Sequence, residues 1–175
     1  MPVSPSIMKL LILGPIAAFV IYYDVRYRRI PNVLVIGTLV GGLAINTSFA
    51  GLGGAMSSVQ GFAMAFIPMF LIHIFGAMGA GDVKLFGAVG SVLGANMVPV
   101  TFVVVVLLGG AIAIYTMLRS GTVFSTLHGV LRIFVGLIPG WEMPRFAIPS
   151  DRRHTVPYGV AIMLGSLIAA AVFRV

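Results

Sequence analysis

The sequence predicts an all-α polytopic membrane protein with six transmembrane helices and an interfacial amphipathic helix between the fifth and sixth. Three observations carry this. Of 175 residues, 59% are hydrophobic and only 9% charged, and the mean hydropathy is +1.12, too apolar for a soluble domain. Six segments approach the roughly 20 apolar residues needed to cross a hydrocarbon core of about 30 Å. Apart from Lys9 and Arg174, the basic residues fall between these segments, as topology signals do, and form no single polar face of the kind that binds nucleic acid.

The first segment, Ile7 to Tyr23, has no small-residue cleavage site leading into a soluble domain, so it reads as a retained span. Val33 to Phe49 and Val59 to Phe75 follow, separated by turn chemistry at Gly51 to Gly54. The fourth, Leu85 to Leu93 with its flanks, is short and reads as a tilted or partly buried helix starting at Asp82. Gly94-Ala95-Asn96 turns the chain into Pro99 to Leu118, and Val156 to Val172 is the last span. Between the last two, Thr122 to Ile138 is apolar on one face only. Val123, Leu127, Val130, Leu131, Phe134 and Ile138 oppose Ser125, Gly129, Arg132 and Gly136, which suits an interfacial helix with Trp141 as anchor. The whole chain, 1–175, reads as one membrane-embedded domain without internal repeats.

Orientation follows from the positive-inside bias. Placing the loop from Asp24 to Asn32 in the cytoplasm also puts Arg119, Arg132, Arg145, Arg152 and Arg153 there, with Lys84 at the boundary. Only Lys9 and Arg174 fall outside, with both termini. With no cysteine, disulfides, a thiolate nucleophile and cysteine-ligated metals are excluded. His73, His128 and His154 make no metal-ligand spacing with the acids, so neither metal nor cofactor is expected.

The chain has four acids: Asp24, Asp82, Glu142 and Asp151. Asp82 stands in Gly76-Ala77-Met78-Gly79-Ala80-Gly81-Asp82-Val83-Lys84-Leu85, where a charge beside the membrane costs at least about 2.5 kcal/mol and marks a functional candidate. Gly79 and Gly81 let a helix or an extended chain come close to it. A bland alternative makes Asp82 the N-cap of an ordinary helix. Asp24, at the end of the first span and on the same side of the membrane, favours a working pair.

Two adjacent carboxyl groups share one proton, so one can activate water while the other protonates a carbonyl oxygen. Such a pair hydrolyses peptides. Which acid holds the proton stays open, because the helix dipoles and the arginines at 26, 28 and 29 pull in opposite directions.

Asp24 with Ile30-Pro31-Asn32, then Gly79-Ala80-Gly81-Asp82-Val83-Lys84-Leu85, then Pro157-Tyr158-Gly159 resemble the motifs of the type IV prepilin peptidases, GxGD-type intramembrane aspartyl proteases. The likeness is greatest to the short CpaA/TadV-type members that serve Flp pilus assembly. It implies that Asp24 and Asp82 are the catalytic pair of an inner-membrane endopeptidase cutting prepilin leaders at the cytoplasmic face. Its substrate would carry a basic leader and an apolar helix, and its further partners would be the bilayer and the pilus assembly machinery. The larger, bifunctional relatives carry paired CxxC motifs and N-methylate their product; lacking cysteine, this chain is not expected to.

Other residues are weighed against structural roles. Lys84 contacts substrate or snorkels to the interface; Asn32 bonds the active-site loop or caps the second helix; Pro157 starts the last helix. Tyr158 and Gly159 line the site only by the resemblance. His73, near the cytoplasmic end of the third span, tunes the pair or, as the preferred reading, serves helix packing or the interface. The competing readings are a small transporter or channel subunit, built on the same acids and broken helices, and a non-catalytic pilus assembly component.

Overall fold

The computed structural model describes residues 5–74, 78–121 and 158–173. Within them the chain forms five α-helices and one short 3-10 turn. The expected interfacial helix, with Trp141, Glu142, Asp151, His128 and His154, lies outside the described residues, as does Pro157.

Helix α1 (Pro5–Tyr27) opens on a proline, which suits a first turn that lacks N–H partners anyway. It buries one stripe, Leu13, Ala17, Val20 and Asp24, at spacings of 4, 3 and 4. The helix closes where Arg28 turns left-handed (φ 51°) with its N–H on the Asp24 carbonyl at 3.0 Å. Pro31 then starts the next helix, its carbonyl accepting the first-turn N–H groups of Leu34 and Val35.

Helix α2 (Asn32–Ile74) is 43 residues long and breaks at Ala50–Gly51, where Gly51 takes φ 57°, ψ −137°, a conformation open to glycine. The two halves fold back on each other. Asn46 and Ser58, about 18 Å apart on a straight helix, approach to 3.0 Å. The second and third expected segments are therefore one helical hairpin.

Helix α3 (Ala80–Leu93) is the centre. Ten of its fourteen residues are buried, including every position from Leu85 to Leu93, and it packs most extensively on both halves of α2. A helix apolar all round belongs inside. It starts two residues before Asp82 and, at about 21 Å, is enclosed by its neighbours. Gly61 and Gly90 bring α2 and α3 into backbone contact.

The last carbonyls of a helix need partners. Here Asn46 donates to Ser91 and Val92 (2.9 and 3.1 Å), Ser58 to Ser91 (2.7 Å) and Lys9 to Leu93 (3.0 Å). A 3-10 turn (Ala95–Met97) leads into α4 (Val98–Ser120), which ends on Gly121 in the left-handed conformation. Helix α5 (Tyr158–Val172) packs between α1 and α4.

Among the described residues three stretches are long and apolar enough to cross a membrane: Ser6–Tyr27, Asn32–Ile74 and Ala95–Arg119. Their outer faces expose Leu11, Phe19, Ile36, Val40, Val103 and Leu107, while Thr38, Asn46, Ser58, Thr101 and Ser166 are buried. Apolar outside and hydrogen-bonded polar inside is what a lipid solvent selects.

Candidate active site

The end of α1 and the starts of α2, α3 and α5 meet at one end of the bundle, opposite the end that holds Lys9, Leu93 and Met97. Asp24 reaches this end because it continues the buried stripe of α1. It is 6% exposed. Its Oδ2 accepts the Val160 N–H at 3.3 Å, and the Gly159 N–H also donates to its carboxylate. The close approach requires glycine: a Cβ on Gly159 would lie 2.7 Å from Oδ2 and 3.0 Å from Cγ. The Arg28 guanidinium acts on the same carboxylate from one helical turn further on.

Asp82 sits in the first turn of α3. Gly79, in an extended conformation, is the N-cap residue, and its carbonyl accepts the Asp82 N–H at 3.1 Å. The Asp82 carboxylate accepts the Gly79 N–H in return. This is the reciprocal half of a capping box, with the acid at the third helical position, where the bland alternative made Asp82 itself the cap. A Cβ on Gly79 would press on Asp82 Oδ2 at 3.0 Å, whereas one on Gly81 would only touch Ile30 at 3.7 Å.

The two carboxyl groups stand close enough to act on one another electrostatically, and Tyr158 is within the field of Asp82. The Tyr158 ring packs where a Cβ on Gly109 would meet its Cε1 at 3.5 Å. Asp24, Asp82, Gly79, Tyr158 and Gly159 are thus brought together. Lys84 is not among them, since its side chain is exposed on the far face of α3.

An open cavity of about 460 Å³, lined by Tyr23, Tyr27, Arg29, Ile30, Pro31 and Asn32 and by neither acid, follows the end of α1 into the start of α2. Tyr23 and Tyr27, one turn apart, hold their rings tilted at 37° with centroids 5.5 Å apart, giving it an aromatic wall. Asn32, the first residue of α2, lines the cavity. Ile30 bridges this cavity and Gly81, so it opens next to the start of α3.

Sequence reasoning missed one contact at the site. His73 Nδ1 lies 2.7 Å from the Met78 carbonyl. A carbonyl only accepts, so Nδ1 carries the hydrogen and ties the end of α2 to the loop ahead of Gly79. The pull of Arg28 on Asp24, in contrast, is read from the sequence together with that of Arg26 and Arg29, and the i, i+4 spacing singles out Arg28 among them. Among the described residues no group of three or more His, Asp or Glu side chains could hold a metal ion. What the pair offers is acid–base chemistry.

The profile of the type IV leader peptidase family matches residues 11–114, more than half of the chain and including both acids. The chain is also similar to a prepilin leader peptidase/N-methyltransferase of Bacillus subtilis (strain 168), with 25% identity over 149 residues. That match covers 83% of this chain and 48% of the relative, so the chain spans about half the relative's length. No solved structure matches it.

Proposed function

The chain belongs to the type IV leader peptidase family, and from that premise we propose that it is a membrane aspartyl endopeptidase that cuts the leader from Flp-type prepilins. The observation that supports this is that Asp24 and Asp82, remote in sequence, stand within electrostatic reach of one another at one end of a lipid-compatible bundle.

In this reading the pair carries one proton. The ionised carboxyl takes a proton from water as its oxygen attacks the scissile carbonyl carbon; the protonated carboxyl donates to the carbonyl oxygen. Collapse of the tetrahedral intermediate breaks the C–N bond, with a proton passing to the leaving amine. The protein needs only to hold the pair, the water and the peptide in line. Gly79 and Gly159 serve this by letting backbone approach each carboxylate, and Pro31, Asn32, Gly81 and Tyr158 shape the space around it.

The substrate is a chain with a basic leader followed by an apolar helix, which matches a site at the rim of apolar helices. Arg26, Arg28 and Arg29 lie at the acid end of the bundle and Lys9 at the other, which supports a cytoplasmic site by the positive-inside bias. Six crossings then place both termini outside, with 1–175 as one peptidase domain. N-methylation is not part of the proposal, because the sequence has no cysteine for the paired CxxC motifs of bifunctional relatives.

The test is cleavage of a membrane-inserted prepilin by the Asp24→Asn and Asp82→Asn variants. Each is expected to lose activity by about 10²-fold or more while remaining inserted. A fully active single variant ends the proposal.

A further inference from the structure

The cavity that follows the end of α1 into α2 is not used by the acid–base chemistry, since neither Asp24 nor Asp82 lines it. Its volume, about 460 Å³, is that of a site for a small ligand. Arg29, Asn32 and two phenols supply the polar part of its lining, Ile30 and Pro31 the apolar part. Arg29 is exposed and makes no ion pair or hydrogen bond among the described residues, and no carboxylate among them lines the cavity. Its charge is therefore free for an anion from outside. Tyr22 adds a third ring, edge-on to Tyr23 and Tyr27 at 5.7 and 6.2 Å. Tyrosines clustered at the end of an apolar helix mark the headgroup level of a membrane.

Below these polar groups both helices continue apolar. Side chains four residues apart share a helical face, so Phe19 lies one turn beneath Tyr23 on α1, and Ile36 and Val40 lie one and two turns beneath Asn32 on α2. All three are 58% exposed. The helices touch along this course, since a Cβ on Gly41 would meet Ile12 at 3.9 Å. A cationic, aromatic cavity above exposed apolar tracks fits an anion joined to hydrocarbon. We propose that the cavity binds the phosphodiester headgroup of an anionic phospholipid, with Arg29 donating to the phosphate oxygens, the tyrosine rings walling the glycerol, and the acyl chains lying on Phe19, Ile36 and Val40. The planar guanidinium matches phosphate geometry. A free phosphate would leave the apolar tracks unused. Lipid meets these faces permanently, and neither acid lines the cavity, which favours a lipid over a peptide on its way to being cut. The inference needs only the membrane setting and stands whether or not the chain is a peptidase.

The experiment titrates the full chain, in micelles of a neutral detergent, with dioleoylphosphatidylglycerol or dioleoylphosphatidylcholine and counts bound lipids by native mass spectrometry. The anionic lipid should be held about 10- to 100-fold more tightly, the worth of hydrogen bonds from a charged group, and Arg29→Gln should lose most of that preference. Arg29→Lys should keep part of it. Arg26→Gln removes the same charge from the same helix end but outside the cavity, so it should lose no more than the few-fold that diffuse attraction supplies. Equal losses in Arg26→Gln and Arg29→Gln, or no preference between the two lipids, overturn the site. Displacement of the lipid by an equal concentration of glycerophosphoglycerol, the headgroup without chains, would make the ligand a free phosphodiester and overturn the lipid assignment. Parent-like lipid binding in Arg29→Gln beside a raised KM for a prepilin would give the cavity to the peptide substrate instead, and likewise overturns the proposal.

Discussion

The N–H of Val160 points at Oδ2 of Asp24 from 3.3 Å, tying the first turn of α5 to the last turn of α1 across 136 residues. The positive end of α5 therefore faces the carboxylate. Gly159 makes this possible, because its missing Cβ would sit 2.7 Å from the same oxygen. In Gly159→Ala, either the carboxylate or α5 must move by a fraction of an ångström to an ångström. Misplacement on that scale costs about 10²-fold in rate. The expected outcome is a comparable fall in kcat/KM with unchanged helix content by circular dichroism.

That contact also shows where sequence reasoning stops. The buried stripe of α1 and the apolar segments were legible, because 3.6-residue periodicity and length are local properties. The placement of Asp24 and Asp82 at one end followed from the order of helices and turns. The surroundings of Asp24 did not follow. Read along α1 alone, it faces the negative end of its own helix; the fold adds the opposite end of α5, a tertiary contact with no local signal. Asn46, Ser58 and Lys9 were likewise passed over, because their partners are carbonyls of a helix remote in sequence. The break at Ala50–Gly51 was visible as a glycine-rich turn, but not as a reversal within an otherwise continuous helical run.

In the proposed mechanism a shared proton dictates the shape of the pH dependence. At low pH both carboxyls are protonated and no base is present; at high pH both are ionised and no acid is present. Activity should rise and then fall with pH, bell-shaped in kcat/KM. The two limbs belong to the pair, so neither Asn variant should show a shifted bell; residual activity, if measurable, should have lost a limb. A profile with a single limb in the parent protein would contradict a two-acid mechanism.

His73 holds the loop before Asp82 through one hydrogen bond to the Met78 carbonyl at 2.7 Å. His73→Phe keeps the ring shape and removes the donor. A neutral hydrogen bond is worth about 0.5–1.5 kcal/mol, so cleavage should drop by about 2- to 10-fold. His73→Asn, whose amide N–H can stand near the lost Nδ1–H, should recover part of it. Equal activity in all three proteins would show that the loop is held by other contacts.

Asn46 separates scaffold from site. Its Nδ2 is shared among Ser58 Oγ, the Ser91 carbonyl and the Val92 carbonyl, at 3.0, 2.9 and 3.1 Å. Asn46→Leu conserves volume closely but strips donors from the end of α3, in a bundle whose outer faces meet lipid and not water. Each buried acceptor left unpaired costs about 1–3 kcal/mol. Ser58 still serves Ser91, so the expected loss of stability is at the lower end for two groups, about 2–3 kcal/mol. Asn46→Asp should be worse, because it sets a carboxylate against carbonyl oxygens. Both changes lie at the end of α3 away from Asp82, so the folded protein should keep its kcat while its thermal midpoint falls. Gly159→Ala should do the reverse, losing rate and keeping stability. A loss of kcat in Asn46→Leu at temperatures where it is fully folded would mean that α3 transmits strain along its length to Asp82, and that the buried end of the helix is part of the catalytic device.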